Sequence, residues 1–234
     1  MNYRKQIRLP ANARGNDYVI TDIHGCHQTF FKLLERLNLS IHKDRLFILG
    51  DCVNKGPNSK AVIDRVLELK KEYEVYVLRG NHEQMLLDFS QMSKYEFEWH
   101  LTGLNSRTLA DDDLKLIPKY KEFLIGLPYY IDLPEYYLVH AGFDFKQPEP
   151  FKAYETMIWI RGFQLKPELL NGKQIVHGHI PNILKRIESA IESKSGVIPL
   201  DNGCVYHGKK EGQGNLLCFE LNAQELIVQE NVED

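Results

Sequence analysis

The sequence predicts an α/β fold of two packed, mixed β-sheets flanked by helices, with a small helical insertion. Three observations predict it. Residues 17–83 repeat one local design three times: an apolar run closes in a polar turn and an amphipathic stretch follows. That is the pattern of a β-α-β-α-β unit with parallel strands. The second half consists mostly of short apolar runs separated by turn signals, and so reads as β. Between the halves, residues 88–126 contain no strand-like run.

Residues 1–16 carry little periodicity and read as an N-terminal arm. Residues 17–234 read as one domain, a size that can bury a large core. The first strands are expected at 18–20, 46–49 and 75–78. Each is short, β-branched or aromatic and bounded by turn residues, as buried parallel strands are. Phe30, Leu33, Leu34 and Leu37 recur at helical spacing after the first turn. After the second, Asn58 and Ser59 suit a helix start, and Ile63, Val66 and Leu67 make its apolar stripe. Within 88–126, Leu114, Ile117, Tyr120, Phe123 and Leu124 suit short helices placed to shape access to the strand ends. Tyr129-Tyr-Ile and Tyr136-Tyr-Leu-Val, joined by Asp132-Leu-Pro-Glu, predict a hairpin. Further strands are expected at 174–176, 197–200, 205–206, 216–221 and 226–229.

Composition excludes several classes of function. With 43% apolar and 26% charged residues and a net charge of −3, the chain is neither disordered nor basic enough for a nucleic-acid surface. No run approaches a membrane span and no signal-peptide pattern opens the chain, so a cytoplasmic location is expected. The four cysteines form no C-x-x-C pair, so neither a zinc clip nor a disulfide framework is expected. Cys26 and Cys52 read as small packed residues.

Ligands of open α/β sheets collect at the carboxyl ends of the strands. Here those ends carry Asp22, His24, Asp51, Asn81 and His82, and two later strands run into His140 and His179. Asp22, His24, Asp51, Asn81, His140 and His179 form a mixed imidazole and oxygen donor set. Such a set suits Mn²⁺, Fe²⁺ or Zn²⁺ better than Mg²⁺ or Ca²⁺. Six donors exceed what one catalytic ion takes, whereas two ions sharing a carboxylate account for them. Two-metal sites acidify a water held between the ions and clamp the oxygens of a phosphoryl displacement, so the chemistry points to phosphoester hydrolysis.

The same residues carry a resemblance. Asp22-x-His24-Gly25, Gly50-Asp51, Gly80-Asn-His-Glu83, His140-Ala-Gly142 and Gly178-His179 look like the ordered motifs of calcineurin-like metallophosphoesterases. Within that superfamily the chain resembles the bacterial PPP-type serine/threonine protein phosphatases. The likeness extends over about residues 17–220 and implies a four-layer sandwich. It also implies Asp22, His24 and Asp51 on one metal, with Asp51 bridging to a second held by Asn81, His140 and His179. Manganese is the expected metal, with iron, zinc or cobalt as alternatives. His82 matches the general acid and Arg161 a phosphate-gripping arginine, with Lys55 and Asn81 beside the phosphate. A planar guanidinium suits two phosphate oxygens, and an imidazole can give up a proton near neutrality.

The second turn departs from the protein-phosphatase pattern. Asn54-Lys55 stands where Asp-Arg is usual, so His82 is oriented by a neutral amide rather than a charge. An Asn-Lys-Gly-Pro turn looks more like the ApaH-like phosphatases, relatives of the diadenosine tetraphosphate hydrolases. The leading expectation is hydrolysis of a phosphoprotein or small phosphomonoester. The alternative is hydrolysis of a dinucleoside polyphosphate. His177 is a candidate neighbour of the metal ligands. His27, His42, His100 and His207 read as solvent-facing or locally hydrogen-bonded.

Overall fold

A computed structural model describes residues 4–233. In chain order its first elements are β1 (Gln6–Arg8), β2 (Asp17–Ile20), α1 (His27–Leu37), β3 (Arg45–Ile48), α2 (Ser59–Leu69), β4 (Glu74–Val77) and α3 (Asn81–Phe89). Next come α4 (Lys94–Gly103), α5 (Pro118–Ile125), β5 (Tyr130–Asp132), β6 (Tyr136–Val139) and α6 (Thr156–Trp159). The chain closes with β7 (Gln174–His177), α7 (Leu184–Glu192), β8 (Val197–Pro199), β9 (Asn215–Glu220) and β10 (Glu225–Glu230).

The strands form two five-stranded sheets, in the orders β10-β9-β2-β3-β4 and β1-β5-β6-β7-β8. In the first, β2, β3 and β4 run parallel and β9 pairs antiparallel to β2. In the second, β5 and β6 make the expected antiparallel hairpin, and β6, β7 and β8 run parallel. Alternation along each strand lays down the layers. In β3, Leu46 and Ile48 face the core under α1 and α2, while Phe47 and the next residue, Leu49, face the other sheet. Leu138 and Val176 meet Phe47, Val19 and Phe219 in that inter-sheet core. The outer face of the second sheet is sealed by an aromatic cluster of Tyr130, Tyr137, Phe143 and Phe151 with Met157 of α6.

Local chemistry explains the helices that frame the site. Phe30, Leu33, Leu34 and Leu37 of α1 are buried as expected. The Asn58 side chain accepts the Ala61 N–H at 2.9 Å and caps α2. Its buried stripe is Val62, Ile63, Val66 and Leu69, with Leu67 half-buried against the same core.

Two expectations need correction. Part of the N-terminal arm is a strand, since β1 adds parallel to β5 through partners such as Gln6 and Tyr130. Val205 and Tyr206 lie in a 3-10 turn, Cys204–Tyr206, entered through Gly203 in a left-handed conformation, and have no strand partner. Helices α6 and α7 were not expected. Among the described residues, no helix is long and apolar enough to cross a membrane. All four cysteines are buried and free.

Candidate metal centre

The turns that follow β2, β3, β6, β7 and β8 meet at one end of the two sheets. Backbone bonds stitch them together: His24 N–H to Asp51 O at 2.7 Å, Gly178 N–H to His140 O at 2.8 Å and Leu200 N–H to His177 O at 2.7 Å. His24, Asp51, Asn54, Lys55 and His179 all adopt positive φ, between 48° and 70°. Non-glycine residues avoid this region, so these turns are held in place by their surroundings. Gly178 allows the close approach, because a Cβ there would sit 2.0 Å from Asp22 Oδ1.

Two groups of potential ligand atoms share Asp51. One is His24, Asp51 and His82, and the other is Asp51, His140 and His179, each with its atoms within 4.8 Å of one another. Asn81 Oδ1 joins the second, 3.0 Å from His140 Nε2 and 2.9 Å from His179 Nδ1. Asp22 stands beside the second group, where its carboxylate accepts the His179 N–H at 3.0 Å. Five of the six sequence-predicted donors thus lie in two groups joined at Asp51, and Asp22 borders the second. His82, expected to act from outside a metal shell, lies within reach of the first.

The hydrogen bonding tests whether these residues fit a cation. His24 Nδ1 donates to Val53 O at 3.1 Å and His140 Nδ1 to Leu49 O at 2.9 Å. Burial, the largest cause, pushes both imidazoles well below their usual pKa, so each is neutral with its proton on Nδ1. Both Nε2 lone pairs therefore face inward. That of His140 points at the acceptor oxygens of Asn81 and Asp51, the latter at 3.6 Å. His179 Nε2 is buried with no hydrogen-bond partner. At His140, Asn81 and Asp51 a lone pair and oxygens face one another with no hydrogen between them, an arrangement that a cation satisfies, and carbonyl-anchored imidazoles are how proteins orient metal ligands.

Charge leads to the same conclusion. Burial pushes Asp22 and Asp51 well above the usual carboxylate range, helped at Asp22 by Asp201 and Asp51 and at Asp51 by Glu83. The Lys55 ammonium opposes this and lowers Asp22, Asp51 and Asp201 alike. Its Nζ lies 2.7 Å from His24 Nε2, a positive charge already seated among the donors.

Around the donors lie residues that hold them. Asn54 Nδ2 donates to His82 Nδ1 at 3.0 Å, while Asn54 Oδ1 accepts from Ser106 Oγ, itself 3.2 Å from Ser59 Oγ. Ser106 comes from the 88–126 segment, which also grips Lys55 through Leu104 O and Asn105. Glu83 accepts the N–H groups of Asp51 at 2.8 Å, Cys52 at 2.7 Å and Gly80 at 2.9 Å, and so clamps the second turn to the start of α3. The His82 N–H donates to Asp51 Oδ1 at 2.9 Å. Arg161 is exposed at the rim, near enough to His179 for its charge to lower that imidazole's pKa. His177 joins neither donor group. It bonds Gly178 O and packs edge-on to Phe163.

Sequence reasoning assigned no role to three of these residues. Glu83 was visible through its spacing from Gly80, the interval of a capping interaction. Asp201, raised to about 6 by burial, was hidden in what reads as an Asp-Asn-Gly turn. Ser106 carried no signal. Of the histidines outside the donor set, His27 faces Glu233 at 3.3 Å and His100 stacks on Phe89.

Residues 18–223 match the family described as calcineurin-like phosphoesterase. A symmetrical bis(5'-nucleosyl)-tetraphosphatase of Wigglesworthia glossinidia brevipalpis is 35% identical over 101 residues, 43% of this chain and 35% of that protein. Its counterpart in Nitrosomonas europaea is 33% identical over 125 residues, 53% of this chain and 44% of that protein. The matched stretches thus span less than half of these relatives. Among solved structures, a protein assigned as a diadenosine tetraphosphatase superposes with a TM-score of 0.71 at 23% identity, covering 99% of this chain and 100% of that one. A protein serine/threonine phosphatase of Saccharomyces cerevisiae gives 0.61 at 16%, covering 99% and 85%. At these identities the structural matches show the fold alone.

Proposed function

Because the chain belongs to the calcineurin-like phosphoesterase family, we propose that it is a metal-dependent hydrolase acting on dinucleoside polyphosphates. On this reading it cleaves a symmetrical tetraphosphate into two nucleoside diphosphates. The observation that carries the chemistry is the pair of donor groups joined at Asp51. Asp22, His24 and Asp51 would hold one divalent ion, and Asp51, Asn81, His140 and His179 a second, with manganese the expected metal. Such ions, when bound, supply an acidified water and neutralise charge building on the phosphoryl oxygens.

The side chains do the rest. Arg161 and Lys55 bring positive charge to the phosphate, Arg161 with a fork that can take two oxygens. Water attacks phosphorus and yields its proton to solvent, the bridging P–O bond breaks, and the departing oxygen leaves as a diphosphate anion that accepts a hydrogen bond from His82, which burial holds neutral with a pKa of about 3. With Asn54 Nδ2 donating to His82 Nδ1, the imidazole's proton lies on Nε2, the free nitrogen.

The second turn favours an anhydride over a phosphoserine. A neutral amide at Asn54 lends no charge to an imidazolium, so His82 is a weaker acid catalyst than one beside a carboxylate. A serine alkoxide needs strong protonation to leave. A nucleoside diphosphate leaves as a terminal phosphate whose last pKa is about 6, and needs little. The curated relatives are tetraphosphatases, which supports the same order and reverses the preference drawn from motif likeness alone.

The test is incubation of the Mn²⁺-loaded protein with diadenosine tetraphosphate and, in parallel, a phosphoserine peptide, with products resolved by anion-exchange chromatography. Two equivalents of ADP and slow peptide turnover are expected. Rapid peptide dephosphorylation without ADP release would return the protein-phosphatase reading to first place.

A further inference from the structure

A cavity of about 490 Å³ opens beside the candidate centre, between the Arg161 segment and α7. Its wall includes Arg161, Phe163, His177, Ile180, Asn182 and Arg186, and no carboxylate lines it. Arg161 and Arg186 are both exposed, and neither forms an ion pair among the described residues. In a chain of net charge −3, two unneutralised guanidiniums converging on one acid-free hollow make a place for an anion. The volume falls within the ~300–1,000 Å³ of small-molecule sites, and an aromatic wall with few polar groups is typical of them.

The local structure explains how Arg186 gets there. Ile187 of α7 is fully buried in the inter-sheet core, flanked by Leu184 and Ile191. The adjoining flank, with Arg186 and Ala190 one turn apart, turns to the cavity. Ala190 is small, which leaves room. Phe163 is half-buried and held edge-on by His177, so its ring is fixed as part of the wall.

We propose that this cavity binds the nucleotide half of the substrate that keeps the attacked phosphorus: Arg161 grips the reacting phosphate, Arg186 the next phosphate, and Phe163 packs against the nucleoside. This assignment rests on the hydrolase reading above and adds to it where the substrate lies beyond the reacting bond.

Calorimetric titration of the Mn²⁺-loaded protein with ADP and with inorganic phosphate tests it without turnover. The unaltered protein is expected to bind ADP at least tenfold more tightly than phosphate. Arg186→Ala should weaken ADP about tenfold, the loss of one charge-assisted contact, and phosphate less than about twofold. Arg186→Lys should recover part of the loss, and Phe163→Ala should weaken ADP but not phosphate. ADP binding no tighter than phosphate, or an ADP-to-phosphate ratio unchanged by Arg186→Ala, overturns the subsite. The two proposals fail separately. Arg186-dependent ADP binding without tetraphosphate cleavage rejects only the reaction, and cleavage with an unchanged ratio rejects only the subsite.

Discussion

The two halves of the chain meet at one centre but are built differently. On the side of the first sheet, the groups next to the centre are tied to one another. Glu83 holds three backbone N–H groups, Asn58 caps α2, and Ser59, Ser106 and Asn54 run in a chain to His82. On the side of the second sheet, His140 is anchored to Leu49 O, but His179 leaves a buried nitrogen unpaired and two arginines stand free at an open cavity. Internally satisfied turns fix a geometry, whereas unsatisfied groups wait for something from outside. The first side is therefore suited to holding the reacting centre and the second to receiving the substrate.

Asp51 belongs to both donor groups, so its removal tests the contrast most severely. Asp51→Asn keeps the shape but removes the shared charge, and turnover is expected to fall by on the order of 10³-fold or more. Metal analysis of the purified variant should show loss at both positions rather than one. If half the metal and a tenth of the activity survived, the donor groups would be independent.

Glu83→Gln attacks the first side alone. The amide nitrogen would face backbone N–H groups that the carboxylate now accepts, leaving buried donors unpaired at a cost of about 2–3 kcal/mol. For a chain of this size that lowers the melting temperature by roughly 4–12 °C. Activity should drop by about 10–100-fold, as when an outer support of a metal site is lost. Binding of ADP at the second side should survive. Parallel loss of both would mean that the halves are not separable.

This division also explains what the sequence made legible. Asp22, Asp51 and Asn81 could be placed because each directly follows an apolar run, and strand periodicity is local information. His140 and His179 followed from the same rule in shorter runs. What escaped depends on distant partners. Gln6 pairs with Tyr130 across the sheet, so three residues of the arm became a strand with no local sign of it. Ser106 matters only because the 88–126 segment folds back on Asn54. Arg186 sits on a nine-residue helix whose apolar positions, Leu184, Ile187 and Ile191, are few enough to be overlooked. Residues at strand ends advertise themselves, whereas those recruited by packing do not.

Asn54→Asp sharpens the contrast by changing the chemistry without the architecture. A carboxylate beside His82 favours the imidazolium and raises its pKa, so the protonated acid persists to higher pH. A shift of one unit makes about tenfold more acid form available on the alkaline limb. Hydrolysis of a phosphomonoester such as p-nitrophenyl phosphate should rise above pH 7, while diadenosine tetraphosphate, with its better leaving group, should change little. Equal response of both substrates over a full pH profile would remove the leaving-group argument for an anhydride.

Ser106→Ala is the gentlest cut, and it asks whether the 88–126 segment takes part in catalysis or merely covers an edge. The hydroxyl lies against Asn54 Oδ1 at 2.5 Å in a fully buried position, and Asn54 in turn meets His82. Without it the amide oxygen loses its donor and the side chain can rotate, so that His82 is oriented less often. One neutral hydrogen bond is worth about 1 kcal/mol, which corresponds to about a fivefold fall in kcat. Because Ser106 touches neither metal ligands nor the Arg161–Arg186 cavity, KM and the ADP affinity should hold. Ser106→Thr, which keeps the hydroxyl, should restore part of kcat. A change in KM with kcat intact would instead make the segment a wall of the substrate site, and the first side would then receive substrate as the second does.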